Sequence, residues 1–183
     1  DRYTNRYFQP YSGTLTFNGD NSTLLLVLDL VKVTSLKEDT NKDGTFETTW
    51  DAKDYILSPQ NATPTSDRGR PYTYLQVNPN TDGTQDEFLD GIRNYQLIGT
   101  WGFYEVTRDT DVNTSGSLGS TAITVNVNTA GVEPGMTFLL DDEQIYVEST
   151  VGSTALTVQR AVNGSTAGTH ATTLDVKNYL YPG

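Results

Sequence analysis

The segment KEDTNKDGTFETTW holds the clearest candidate for chemistry in this sequence, a loop with the residue spacing of a calcium site. Positions 1, 3, 5 and 6 of the EF-hand loop pattern are taken by Asp39, Asn41, Asp43 and Gly44. Such a loop needs a bidentate acidic ligand at position 12. Counting from the first aspartate, that position is Trp50, so the pattern lacks its main ligand.

The residues around this loop favour a turn rather than a metal site. Glu47 falls at position 9, where a water-mediated ligand is usual, and it cannot replace the missing bidentate group. Strand-like sequence flanks the loop where an EF-hand would have helices. We therefore predict a β-hairpin turn in which Asp43-Gly44 supplies the positive φ, and no required metal. Weak calcium binding stays open as the alternative.

Residues suited to acid–base or nucleophilic catalysis are few. His170 is the only histidine, so a Ser-His-Asp triad would have to use it. It lies in the polar segment NGSTAGTHATT, and the sequence contains no G-x-S-x-G nucleophile elbow and no cysteine. The pattern favours a loop histidine that bonds to nearby backbone.

The acidic segment TDGTQDEFLDG could supply a pair of carboxylates for glycoside hydrolysis. Its candidates are Asp82, Asp86, Glu87 and Asp90. In a chain with a formal net charge of −11, acidic turns of this kind are usually solvated. We predict no catalytic residue and no cofactor, and a small glycosidase is the last of the alternatives.

Aromatic and basic side chains offer two further candidate surfaces. Trp50 and Trp101 could form a platform that stacks on sugars, although large aromatic residues more often fill a small β core. The loop SDRGRPYTY presents Arg68, Arg70 and Tyr72 as candidate subunit contacts. The alternative for this loop is a solvated, mobile segment.

Composition and charge exclude several classes of partner. The net charge of −11 and the pI near 4.3 argue against a surface that grips nucleic acid or an anionic membrane. The longest apolar run, STLLLVLDLV, is far shorter than the ~20 residues needed to cross a bilayer. Because the sequence begins at Asp1 rather than Met, we expect the native protein to extend further towards its N-terminus.

Short apolar–polar alternations separated by turn residues predict an all-β protein of 183 residues in two units. The first, residues 1–110, is predicted as a sandwich or barrel-like domain that opens with a hairpin at Asn18-Gly19. The polar segment TRDTDVNTSGSLGS is predicted as the boundary. Residues 111–178 then form a small β-barrel or sandwich, and residues 179–183 begin a C-terminal segment.

Two groups of motifs resemble the head–tail connector (adaptor) proteins of tailed bacteriophages. The first is an Arg/aromatic opening, RYTNRYF, followed in order by VTSL, DGTFETTW, DYIL and GTWGFYEV. The second, DDEQIYV followed by QRAVNGSTAGTHA, resembles a small β-domain common in phage virion proteins. Each motif is weakly specific, and their order along most of the chain carries the resemblance.

The resemblance implies a non-enzymatic virion protein of the neck, made in the host cytoplasm. Such adaptors form a homo-oligomeric ring, commonly a dodecamer, on the portal protein. They link it to tail-proximal neck or tail terminator proteins, and DNA passes through the ring only as cargo. The helices that usually flank the β region of adaptors are not expected in this chain.

Two other classes stay open. One is a secreted carbohydrate-binding β-module that uses Trp50, Trp101 and a calcium ion near Asp43. The other is a different virion component, such as a baseplate, tail-terminator or fibre protein.

Overall fold

A computed structural model of the chain describes residues 9–66, 69–80, 85–103, 107–127 and 132–179, with side chains for all of these except 108–113. The fold is all-β, as predicted, and within these ranges the one helical element is a single 3-10 turn at Val162–Gly164. No helix in the described part is long and apolar enough to cross a membrane. The chain divides into two compact units, Asp1–Glu105 and Val106–Gly183.

The first unit contains one six-stranded antiparallel sheet, ordered β1-β6-β2-β5-β4 with β3 beside β2. Its strands are β1 Tyr11–Gly19, β2 Leu24–Glu38, β3 Thr48–Trp50, β4 Tyr55–Ser58, β5 Tyr72–Val77 and β6 Gly91–Trp101.

The long strand β2 belongs to two parts of this sheet. Its first half pairs with β5, from Leu24 to Leu30, and its second half pairs with β6 and β3. Register shifts occur in both pairings, between Leu26 and Leu30 opposite β5 and between Leu30 and Ser35 opposite β6, and bulges of this kind bend a strand. The buried core on its inner side includes Leu25, Leu36 and Trp101.

The predicted hairpin between β1 and β2 is wrong, because β6 lies between these strands in the sheet. Asn18 and Gly19 end β1, where the Asn18 carboxamide oxygen accepts a hydrogen bond from the Arg93 N–H. The Gly19 N–H donates to the carboxamide oxygen of Asn94. The Asn-Gly pair therefore holds strands that are about 75 residues apart in sequence, rather than forming a two-residue turn.

The second unit contains another six-stranded antiparallel sheet, ordered β7-β12-β9-β10-β11-β8. Its strands are β7 Thr107–Asn113, β8 Thr124–Asn126, β9 Thr137–Leu140, β10 Glu143–Val151, β11 Ala155–Gln159 and β12 Asp175–Tyr179. A single antiparallel bridge joins Thr114 to Val127, just beyond the two edge strands. No closed barrel is formed by the described residues.

Two segments singled out in the sequence lie at the β9–β10 turn and at β7. The hairpin about Asp141-Asp142 is confirmed, with β9 and β10 paired and Asp141 at φ 51°. The polar segment predicted as the boundary directly follows the division between the two units, and it begins with β7, which pairs with β12. Such a polar edge strand lacks the alternation by which a strand is recognised in sequence.

Candidate functional site

The loop after β2 brings three carboxylates together, as the calcium-like spacing suggested. Single oxygens of Asp39, Asp43 and Glu47 lie within 4.8 Å of one another. Asp39 is buried, whereas the other two residues are exposed. Three carboxylates at this separation could ligate a cation in principle, since calcium takes oxygen ligands.

The same carboxylates close the loop through backbone hydrogen bonds. The Asp39 carboxylate accepts from the N–H groups of Asp43 and Gly44, at 3.2 and 2.8 Å. The Glu47 carboxylate accepts from the Thr40 N–H at 3.3 Å. Gly44 has φ 91°, as predicted for the turn. The carboxylates of Asp39 and Glu47 therefore close the loop by accepting hydrogen bonds from its backbone.

Asp43 bonds to the part of the loop that leads into β3. Its carboxylate accepts the N–H of Thr45 at 2.8 Å. Hydrogen bonds from the backbone N–H and the hydroxyl of Thr45 lower the pKa of Asp43 below its ordinary value, because they stabilise the charged form.

Trp50, at position 12 of the calcium pattern, is a core residue and offers no ligand. It is buried and stacks on Phe88 with ring centroids 4.6 Å apart and planes 3° apart. Its indole N–H donates to the buried Glu38 carboxylate at 2.9 Å, and the Tyr95 hydroxyl donates to the other oxygen at 2.9 Å. Burial, together with the bond to Glu38, raises the pKa of Tyr95.

The proposed sugar platform does not exist on the surface of this structure. Trp101 is also buried, and its indole N–H donates to the Gly13 carbonyl at 3.0 Å. Because both indoles lie in the core, neither presents a face on which a sugar could stack.

A polar cleft of about 400 Å³ lies beside the carboxylate loop. Its lining includes the acidic residues Glu38, Asp39 and Asp90, with Lys42 beside them. The buried carboxylates in its wall already accept hydrogen bonds from protein donors. The cleft is acidic in character and suits a donor or cation rather than an anion.

The acidic segment considered for glycoside hydrolysis is only partly described. Asp82 lies outside the described residues, while Asp86, Glu87 and Asp90 are exposed. The Asp90 N–H donates to the Asn21 carboxamide oxygen at 2.8 Å, which links the segment to the turn between β1 and β2. Exposure of the three described carboxylates matches the prediction of a solvated acidic turn.

The three candidate contact residues of the SDRGRPYTY loop have different environments. Arg68 lies outside the described residues. Arg70 is exposed, and its guanidinium donates to the Asn61 carboxamide oxygen at 2.6 Å. Tyr72 was expected as an exposed loop aromatic, but it begins β5 and packs half-buried against the core.

The second unit contains a buried ionic cluster that sequence reasoning missed. Glu143 is almost fully buried at the start of β10 and accepts two hydrogen bonds from the Arg160 guanidinium, both at 2.6 Å. Its carboxylate also accepts the N–H groups of Ala161 and Gly168, both at 3.0 Å. Arg160 in turn donates to three backbone carbonyls, those of Gly119, Ala122 and Gly168.

His170 completes this cluster, and the prediction that its side chain bonds to nearby backbone is wrong. The ring is buried, with Nε2 2.8 Å from a Glu143 oxygen and Nδ1 2.9 Å from an Asp141 oxygen. Only its backbone groups pair with backbone, in a bridge to Leu118. The charged residues Asp141, Glu143, Arg160 and His170 are visible in the sequence. Their contacts, however, join residues 17–29 positions apart, and no local sequence pattern indicates such pairs.

The charge of Glu143 is strongly stabilised. Burial alone would raise its pKa, but the hydrogen bonds from Arg160, Gly168, His170 and Ala161 outweigh it and lower the pKa of Glu143 to about 2. The described cluster contains no nucleophile in contact with the histidine. Its chemistry is that of a structural tie between the β9–β10 hairpin and the segment 160–170.

Comparisons of this chain with protein-family models, curated proteins and solved structures gave no match. Its function is therefore inferred from its own residues and their geometry.

Proposed function

We propose that this chain is a head–tail connector (adaptor) of a tailed bacteriophage, a non-enzymatic protein of the virion neck. It assembles into a homo-oligomeric, dodecameric ring on the portal protein and joins the capsid to tail-proximal proteins. The genome passes through the ring as cargo. The ordered motifs along most of the chain support this role.

The observation that carries the proposal is that side chains from the two motifs DDEQIYV and QRAVNGSTAGTHA contact one another. The segment DDEQIYV contains Asp141 and Glu143, and the segment QRAVNGSTAGTHA contains Arg160 and His170. These four side chains form one hydrogen-bonded cluster. These contacts join the two motifs in one structural unit of this chain, which supports treating them as parts of one β-domain.

Charge is compatible with a conduit for DNA. A surface with a net charge of −11 repels phosphates, so a lumen lined by Asp and Glu would let DNA slide instead of binding it. Lys and Arg facing the channel in a ring structure would contradict this part of the proposal.

Native mass spectrometry of the chain, with and without EDTA, tests the proposal. We expect a discrete high-order ring whose mass EDTA does not change, because the carboxylate loop is already held by its own backbone. A monomer at every protein concentration would contradict a self-assembling ring. A mass or assembly that depends on calcium would favour the calcium-dependent binding module instead.

A further inference from the structure

The longest apolar run of the sequence leaves one of its faces exposed. Leu24, Leu26 and Leu28 lie at alternate positions of β2 and are 41%, 74% and 49% exposed. We call them the leucine stripe. Leu25, between them, points into the core and is buried.

This exposure conflicts with the character of the run. A strand that is apolar at consecutive positions is typical of one covered on both faces, whereas a strand with one wet face alternates apolar and polar residues. Single exposed leucines are ordinary, but soluble proteins rarely display a contiguous apolar row. At ~3.4 Å per residue, three alternate leucines form a row about 14 Å long. The face of β2 that carries the leucine stripe is therefore left without a packing partner among the described residues of this chain.

The neighbouring strands extend the apolar surface. Residues directly opposite one another in antiparallel strands share a face. Tyr74 on β5 lies opposite Leu26, and Gln76 lies opposite Leu24. Ile56 on β4 lies opposite Gln76. Tyr74 and Ile56 are half-buried, so both add partly exposed apolar surface near the stripe, with the polar Gln76 between Leu24 and Ile56.

Charge at the Leu24 end of the stripe indicates what covers it. Asp86 lines a cleft of about 320 Å³ together with Thr23 and Gln76, which adjoin that end. Glu87 beside it is exposed, and the whole chain carries −11. A second copy that docked through this same face would bring the same negative charges against it, whereas a basic partner would complement them.

We propose that the leucine stripe is the docking surface for an extended segment of a partner protein that has apolar side chains at alternate positions and lysine or arginine at the end that meets Asp86 and Glu87. Among the described residues, Leu24–Leu26 pair with β5 alone, Leu28 lies in the register shift that follows, and pairing of β2 with β6 begins only at Leu30. Docking through alternate side chains of an extended segment is a common mode of peptide recognition. This inference does not depend on the ring or on a place in the virion.

A labelled synthetic peptide tests the proposal by fluorescence anisotropy. The probe has leucine at alternate positions, threonine between them and two lysines at each end. The test variant is Leu26→Thr with Leu28→Thr, which keeps charge and strand propensity. Ile92→Thr is the matched control, because Ile92 is 86% exposed outside the stripe. Circular dichroism of each variant checks that the fold is retained.

We expect the peptide to bind wild-type protein and the Ile92→Thr variant equally, and the stripe variant roughly tenfold or more weakly. Replacing the lysines of the peptide by glutamates should abolish binding, and salt should weaken it. Equal binding to the stripe variant, or no binding to wild type, would overturn the proposal. So would self-association of the protein that Leu26→Thr removes, since the occupant would then be a second copy.

Discussion

At the scale of single residues, the second unit depends on one buried carboxylate. Glu143 balances the Arg160 guanidinium and accepts bonds from the ring of His170 and from two backbone N–H groups. Removing one partner of a buried charged cluster is costly because the remaining charge has lost its water and its counter-charge. This carboxylate therefore holds the segment 160–170 against the β9–β10 hairpin.

The substitution Glu143→Gln should destabilise the second unit by roughly 3 kcal/mol or more, because it leaves the Arg160 charge buried without its partner. Hydrogen exchange across residues 137–170, followed by mass spectrometry, measures the loss. Glu148→Gln is the matched control, since Glu148 is exposed on the same strand.

Tryptophan fluorescence gives an independent check on that result, because both tryptophans of the chain lie in the first unit. Their emission should be unchanged in Glu143→Gln under conditions where the second unit exchanges faster. If residues 137–170 of this variant exchanged their amide hydrogens as slowly as in wild type, Glu143 would not be holding the segment 160–170 against the β9–β10 hairpin.

Acid should weaken the same unit in a defined window. The pKa of Glu143 is lowered from 4.5 to about 2, so its contribution is complete above about pH 4.5 and is lost as the pH falls towards 2. A shift of this size corresponds to roughly 3 kcal/mol. Urea unfolding of wild type and Glu143→Gln between pH 6 and pH 2.5 should show two curves that converge in acid. A constant difference across this range would contradict the assignment.

At the scale of elements, the end of β1 shows why an Asn-Gly pair need not mark a hairpin. A Cβ on Gly19 would overlap the Leu89 carbonyl oxygen and lie 2.7 Å from a ring carbon of Tyr95. The glycine is required by the close approach of β1 to the turn before β6, rather than by a positive φ. Sequence alone cannot separate these two uses of glycine.

Gly19→Ala should therefore destabilise the first unit by about 2 kcal/mol or more, because the added methyl group forces β1 away from its neighbours. Urea unfolding followed by tryptophan fluorescence measures the first unit directly. Equal midpoints for Gly19→Ala and wild type would show that β1 can shift at little cost.

At the scale of the whole molecule, the net charge of −11 governs encounters with other macromolecules. DNA binding requires cations that displace the counterions of the phosphates, and this chain has 12 Lys and Arg against 23 Asp and Glu. We expect double-stranded DNA to migrate unchanged in a gel when the protein is added, even at low salt. If the protein slowed the migration of the DNA and added salt reversed this effect, the proposal that DNA only passes through the ring would be contradicted. A basic protein of similar size is the control.

Local sequence patterns predict some features of this protein and not others. The turn at Asp43-Gly44, the β9–β10 hairpin at Asp141-Asp142 and the all-β class follow from local patterns and were predicted correctly. The partners of His170 and the close approach at Gly19 join residues 27–76 positions apart. No local pattern encodes such contacts, because each depends on which strands become neighbours.

By itself, the sequence determined the strand and turn chemistry and the acidic charge, since these depend on residue type and on spacing of a few positions. Only the tertiary structure decided that β6 lies between β1 and β2, that both tryptophans are core residues, and that three leucines of β2 remain exposed. The reason is physical: strand pairing over long separations is selected by burial of the whole core, which no single segment specifies.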